Sequence, residues 1–130
     1  MRRKGFVAAL LALVAMGCGL CDSWARLSTK AEIVIAEGNR YVSMAPPAWQ
    51  RDWAAGVTAY RAADLAVVAA CTHQDARAIA RAVADACDKV LVLVALLRGV
   101  PVAMTSDQLA TMADETIALR DRAREKERSP

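Results

Sequence analysis

The chain reads as an all-α protein, an antiparallel four-helix bundle behind an N-terminal signal segment. Three observations predict it. Alanine fills 29 of the 130 positions, while glycine takes six and proline four. Alanine has the highest helix propensity, and glycine and proline are the residues that interrupt helices. Four segments repeat their apolar residues in alternating steps of three and four, the period of one helix face. The connections between them are short, which makes neighbouring helices antiparallel. A three-helix core with a splayed first helix is the second arrangement the same segments allow.

The N-terminus has its own logic. Met1 to Lys4 is basic, Phe6 to Met16 is an unbroken apolar run, and Gly17, Cys18 and Gly19 follow. Basic, apolar and then small residues form the pattern of a secretory signal peptide. The cationic end stays on the cytoplasmic side while the apolar run enters the membrane. That run is shorter than the roughly 20 residues a comfortable permanent span needs. Ala15-Met16-Gly17-Cys18 resembles the lipobox of bacterial lipoprotein precursors. Gly17 and Cys18 fit that pattern; Ala15 stands where leucine is usual and Met16 where a small residue is usual. The resemblance covers only the signal. It implies removal of residues 1–17, fatty-acyl lipid such as palmitate on Cys18, and a single domain over 18–130. Cys21 fits less well as the lipid acceptor, because the bulky Leu20 precedes it. Ordinary cleavage, or an uncleaved anchor extending towards Leu20, are the alternatives.

Removing the signal changes the charge. The whole chain has 17 Lys and Arg against 14 Asp and Glu. Arg2, Arg3 and Lys4 leave with the signal, so the remainder balances 14 against 14. No cationic excess is left to suggest nucleic acid as a partner.

The first helix is expected over 23–43, with Trp24, Leu27, Ala31, Val34, Gly38 and Tyr41 on one stripe. Pro46 and Pro47 stop it, since proline cannot continue the hydrogen-bond ladder. Pro47 also suits the first turn of the next helix. That second helix, 47–71, carries Trp49, Trp53, Val57, Tyr60, Ala63, Val67 and Cys71. Thr72 and Asp75 read as a capping-box variant for the third helix, expected over 75–98. Its stripe is Ala76, Ala80, Val83, Cys87, Val90, Val94 and Leu97, flanked by Ile79 and Leu91. Val90 to Leu97 is a solid apolar octet that in isolation suits a buried strand. It enters in phase from Ala76 and no second strand-like segment can pair with it, so helix is favoured. Gly99 suits a helix C-terminal cap. The fourth helix, 105–127, opens with a Thr105–Gln108 capping box and carries Leu109, Met112, Thr116, Leu119 and Ala123. Its mixed-charge end, Arg120 to Arg128, reads as a solvated, fraying terminus.

Few residues offer chemistry. The CxxC spacing of Cys18 and Cys21 lacks the βαβ context of a redox motif. No second cysteine pair or histidine pair completes a zinc site. Haem attachment would need histidine after Cys21, where Asp22 stands. His73 is the one histidine, expected in a solvated turn with no partner for a triad or a metal. A Cys71–Cys87 bond fails on geometry. In a hairpin turning near His73 the two lie about 18 Å apart along the helices, against the roughly 7 Å a bridge tolerates. A Cys21–Cys71 bond requires both to lie at one end of the bundle, which the expected helix boundaries do not make obvious. Buried free thiols at Cys71 and Cys87 are therefore expected. Asp64 falls at the edge of the core stripe, and a buried carboxylate needs a partner. Asp64 reads first as a boundary residue that snorkels to solvent; the alternative is a structural ion pair with Arg81 across the hairpin or Arg61 on the same helix. Trp49 and Trp53, one turn apart, are core residues or a partner-binding pair, since tryptophan is enriched at binding hot spots.

These readings point to a non-enzymatic module. The expectation is a small exported lipoprotein of bacterial or prophage type. Lipid holds it to a membrane, and it binds another protein of the cell envelope, without cofactor or metal. The alternative is a ligand- or cofactor-binding bundle in which the many alanines leave space between helices.

Overall fold

The computed structural model describes the backbone of residues 2–129 and the side chains of residues 19–129. The chain forms four helices, α1 (Arg2–Tyr41), α2 (Pro47–His73), α3 (Ala76–Leu97) and α4 (Ser106–Arg128). A single 3-10 turn, Val42–Met44, follows α1. No strand occurs among the described residues, and the octet Val90 to Leu97 completes α3.

Local sequence explains most of the boundaries. Pro46 caps α2 and Pro47 occupies its first turn, where a missing N–H costs nothing. The Gln50 side chain donates to the carbonyls of Val42 (2.7 Å) and Ala45 (3.1 Å), so the α1–α2 connection is tied down from inside the next helix. At the start of α4 the Thr105–Gln108 capping box is present in both directions. Gly99 adopts φ +80° just after α3, a left-handed conformation that glycine enters without steric cost.

Two boundaries depart from the sequence reading. α1 does not begin at Ser23 but at Arg2, so Cys21 lies on the helix rather than ahead of it. The α2–α3 junction also differs. Thr72 does not cap α3; its hydroxyl donates to Val68 O within α2, which runs on to His73. Gln74 then turns the chain at φ 57°. Asp75 itself is the N-cap, its carboxylate accepting from the amides of Arg77 and Ala78. Aspartate is as good an N-cap as threonine or better, and here it stands one residue before the first helical turn.

The helices run up, down, up and down. Contacts between α1 and α2 advance along one as they retreat along the other: Cys21 with Cys71, Trp24 with Asp64, Glu32 with Arg61, Asn39 with Trp53. Between α3 and α4, Arg81 meets Glu127 and Asp88 meets Arg120 and Arg124. α3 packs against all three other helices, whereas α2 and α4 do not approach each other among the described residues. The expected stripes are the buried ones, including Leu27, Ala31 and Val34 of α1, Tyr60 and Val67 of α2, and Leu109, Met112 and Leu119 of α4. Thr116, also fully buried, is satisfied by donating to Met112 O at 2.6 Å. Tyr41, Trp49, Val57 and Cys71 on those stripes are half-buried, and Ala76 is exposed at the first turn of α3. α1 is thus seated in the bundle, and the splayed arrangement is not formed.

One close approach fixes how α1 lies on α2. Gly38 is buried under the indole of Trp53: a Cβ added there would come within 1.9 Å of Trp53 Cζ2. Trp53 cannot retreat easily. Its ring stacks on Trp49 at 5.2 Å and its Nε1 donates to Asn39 Oδ1 at 2.9 Å. For Gly38→Ala the helix-propensity gain of about 1 kcal/mol opposes an overpacking cost of about 1–3 kcal/mol or more. We expect a net loss of stability in urea melts. The loss should shrink in a Trp53→Phe background, where the clashing atoms are absent, giving a coupling of about 1–2 kcal/mol. Equal costs in both backgrounds would show that the indole does not set the approach.

Candidate functional site

The end of the bundle where α1 joins the core carries the most distinctive chemistry. Cys21 and Cys71 are joined in a disulfide, with Cα atoms 6.1 Å apart across 50 residues of sequence. Cys71 is therefore not a buried free thiol. α1 and α2 run antiparallel from their junction at 42–46, and because α1 is helical well ahead of Ser23, Cys21 falls level with Cys71 near the end of α2. Cys18, the lipidation candidate, lies outside the residues whose side chains are described. It precedes Cys21 by three positions, a rise of about 4.5 Å along a helix.

One turn further into the core, Trp24 is buried and its Nε1 donates to Asp64 Oδ1 at 2.8 Å. The ion pair offered as the alternative for Asp64 is therefore not formed. Arg81 instead reaches Glu127 on α4 at 3.1 Å, and Arg61 turns outward to Glu32 on α1. Both guanidinium groups stay in solvent, where they avoid the desolvation cost of a buried pair. The carboxylate is satisfied by a neutral indole N–H. Tyr60, fully buried, lies beside this contact with its ring 6.1 Å from that of Trp24, and its hydroxyl has no hydrogen-bond partner among the described residues. Burial, with the Asp64 charge second, pushes its ionisation up.

At the other end, Trp49 and Trp53 belong to the core packing. Trp53 is buried and hydrogen-bonded to Asn39. Trp49 donates its Nε1 to Leu96 O at 2.9 Å and meets Tyr41 edge-on at 4.9 Å. Both indole N–H groups are used internally.

Among the described side chains the remaining cysteine is inaccessible. Cys87 is free and fully buried; burial first, and the Asp88 charge second, push its thiol up from 9.0 to about 12. His73 ends α2 in the open. No cluster of three or more metal-ligating side chains occurs among the described residues.

The surface offers three further features. The outward face of α2 exposes Leu65 and Val68, and α2 alone among the described residues is long and apolar enough to cross a membrane by length and composition. A groove of about 440 Å³ between α1 and α4 has Ile33, Met104 and Met112 inside a rim that includes Lys30 and Glu115. A cleft of about 640 Å³ between the start of α3 and the end of α4 is lined by Arg77, Arg81, Arg124, Glu127 and Arg128. Sequence reasoning missed this cleft by treating the end of α4 as a solvated run. The signal that finds it is spacing: Arg77 and Arg81, like Arg124 and Arg128, stand at i and i+4, one face of each helix.

No family model, curated protein or solved structure matches the chain.

Two outcomes follow from the buried cysteine chemistry. Closing a loop of this length constrains the unfolded chain by about 4 kcal/mol in the chain-entropy description. Reducing Cys21–Cys71, or replacing both by serine, should lower unfolding stability by about 2–4 kcal/mol, with α1 amides gaining hydrogen exchange first. Unchanged stability would mean that the bond does not hold α1.

The second outcome concerns alkaline pH. Cys87 binds its proton more tightly folded than unfolded, so its contribution is complete below about pH 9 and is lost as pH rises towards about 12. Urea melts between about pH 8 and pH 10.5 should show stability falling, with this group contributing up to about 1.4 kcal/mol per pH unit. The fall should be shallower in Cys87→Ala. An equally steep fall in that variant would place the effect elsewhere.

Proposed function

We propose that this chain is the precursor of an exported lipoprotein, lipid-attached at Cys18, whose bundle serves as a non-enzymatic interaction module of the cell envelope. The observation that carries this reading is the Cys21–Cys71 disulfide. Disulfides form and persist in oxidising, extracytoplasmic compartments, which is where a signal such as residues 1–17 would deliver the chain. The position of the bond adds weight. It closes the bundle three residues after the proposed lipid acceptor, so the acyl chains would attach almost directly to the folded domain. Two or three chains on one cysteine hold a soluble domain to a bilayer stably. Any pull from the membrane then falls on a covalent bond rather than on a helix end that frays.

The non-enzymatic part rests on the side chains. The thiol of Cys87 is buried and hard to ionise. His73 and the acidic residues form no constellation of nucleophile, base and orienting group of the kind acyl transfer or hydrolysis needs. The exposed Leu65 and Val68 on α2 favour an interaction role for the outward faces of the bundle.

The test is mass spectrometry of the mature N-terminus, comparing wild type with Cys18→Ser in the native host or a bacterial expression strain. The wild type should begin at a diacylglyceryl-modified Cys18 and fractionate with membranes. Cys18→Ser should lose the modification and leave the mature membrane fraction. An unmodified N-terminus at any other residue would end the lipoprotein reading.

A further inference from the structure

The arginine cleft lies at the same end of the bundle as Cys21. The antiparallel order puts the Cys21 turn of α1, the end of α2, the start of α3 and the end of α4 together. Arg77 and Arg81 come from the first two turns of α3, and Arg124 and Arg128 from the last turns of α4. They line one open cleft of about 640 Å³ with a single carboxylate, Glu127.

Several neighbouring acids are already engaged. Glu127 accepts from Arg81 at 3.1 Å. Asp88 is shared by Arg120 (3.4 Å) and Arg124 (3.1 Å). Asp75 serves as the N-cap of α3, and Asp121 sits 3.5 Å from Arg120. Arg77 and Arg128 are left without a carboxylate among the described residues. Arg128 donates its Nε to Arg124 O at 3.2 Å, which steadies its guanidinium beside the cleft. Of the four guanidinium groups on this open space, Arg81 and Arg124 are met by Glu127 and Asp88, which leaves Arg77 and Arg128 with an unfilled demand for negative charge. The planar, bidentate donor fork of arginine matches phosphate oxygens.

We propose that this cleft binds the phosphodiester of anionic phospholipid headgroups, at the surface of the membrane to which the chain is tethered. The inference rests on the lipid-anchor reading for the identity of the phosphate: with Cys18 in the bilayer, headgroups are the phosphates within reach. Basic patches are a known second signal that reinforces an acyl anchor.

The experiment uses the full chain in a non-ionic detergent, titrated calorimetrically with short-chain phosphatidylglycerol below its micellar concentration. Short-chain phosphatidylcholine and inorganic phosphate are the parallel arms. The informative variant is Arg77→Gln/Arg128→Gln, because neither residue has a carboxylate partner to lose; circular dichroism checks its fold. Arg40→Gln, a solvated cation at the opposite end, is the control. We expect saturable phosphatidylglycerol binding that weakens at least tenfold in the double variant. Binding should fall with added salt, remain unchanged in Arg40→Gln, and be far weaker for phosphatidylcholine. Absence of binding, or equal binding by wild type and double variant, would overturn the proposal. Inorganic phosphate that binds as tightly as the lipid would assign the cleft to free phosphate and overturn the headgroup assignment. The titration needs no acyl chain on the protein. Retained phosphatidylglycerol binding by a chain whose Cys18 proves unmodified would therefore refute the anchor alone, while failure in the titration with Cys18 lipidated would refute the cleft alone.

Discussion

The architecture follows from how much of α3 must be covered. Ten of its 22 residues are buried. At about 100° per residue they sweep roughly 180° of its circumference, wider than the stripe of about 100° that one surface helix usually turns inward. Two helices cannot cover that arc. α2 and α4 flank it on either side and stay apart from each other. The gap between them is closed by α1, which brings Trp24, Leu27, Ala31 and Val34 to the core. The fourfold arrangement is thus the minimum that keeps the buried arc of α3 out of water, while Val92, on its outer side, stays exposed.

α1 is the helix this arrangement holds least directly. α2 and α4 are each joined to α3 by a short connection, so their docking carries little loop-closure cost. α1 meets α3 only across the bundle. It is correspondingly held at both ends by contacts that depend on single side chains. At one end Cys21 is bonded to Cys71 and Trp24 to Asp64. At the other, Gly38 admits the Trp53 indole and Asn39 takes its N–H. Between these ends, Lys30–Glu115 and Glu32–Arg61 are exposed ion pairs, which contribute little to stability.

What the sequence made legible was whatever is periodic or local. The four stripes, the Thr105–Gln108 box, Pro47 in the first turn of α2 and Gly99 after α3 are all encoded within a few residues of where they act. What it hid was non-local or a matter of choice between equals. The spacing of Cys21 and Cys71 carries no pairing information without knowing that α1 is already helical ahead of Ser23. Asp64 needed a donor, and charge alone favoured arginine. Trp24 supplied it instead, because a buried indole must also place its N–H, while arginine can keep its charge in water along the bundle surface. The tryptophan pair had two readings because an indole is equally at home in a core and at an interface. Its hydrogen bonds, to Asn39 and Leu96 O, are non-local and could not be read from the spacing. The arginine cleft was invisible because its two halves are contributed 47 residues apart, from Arg77 to Arg124, and meet only when α4 folds back along α3.

The two ends of the bundle therefore differ in kind. The end with Tyr41, Trp49 and Trp53 is aromatic, internally hydrogen-bonded and tied by Gln50 to its own connection. It has the character of a packed closure. The end with Cys21 and Cys71 is cross-linked yet rimmed by arginines, several of whose nearby acids are already engaged. Residues 18–130 carry 14 basic and 14 acidic side chains, so they set up no long-range field to attract a partner. What attraction it exerts must come from local imbalance, and the cleft lined by Arg77, Arg81, Arg124 and Arg128 is where the arginines outnumber the acids around them. A covalent staple beside an unmet positive charge is an arrangement suited to a surface that both pulls and binds. On the proposed reading a bilayer at Cys18 supplies both, so the stability of α1 and the charge of the cleft become two responses to one boundary.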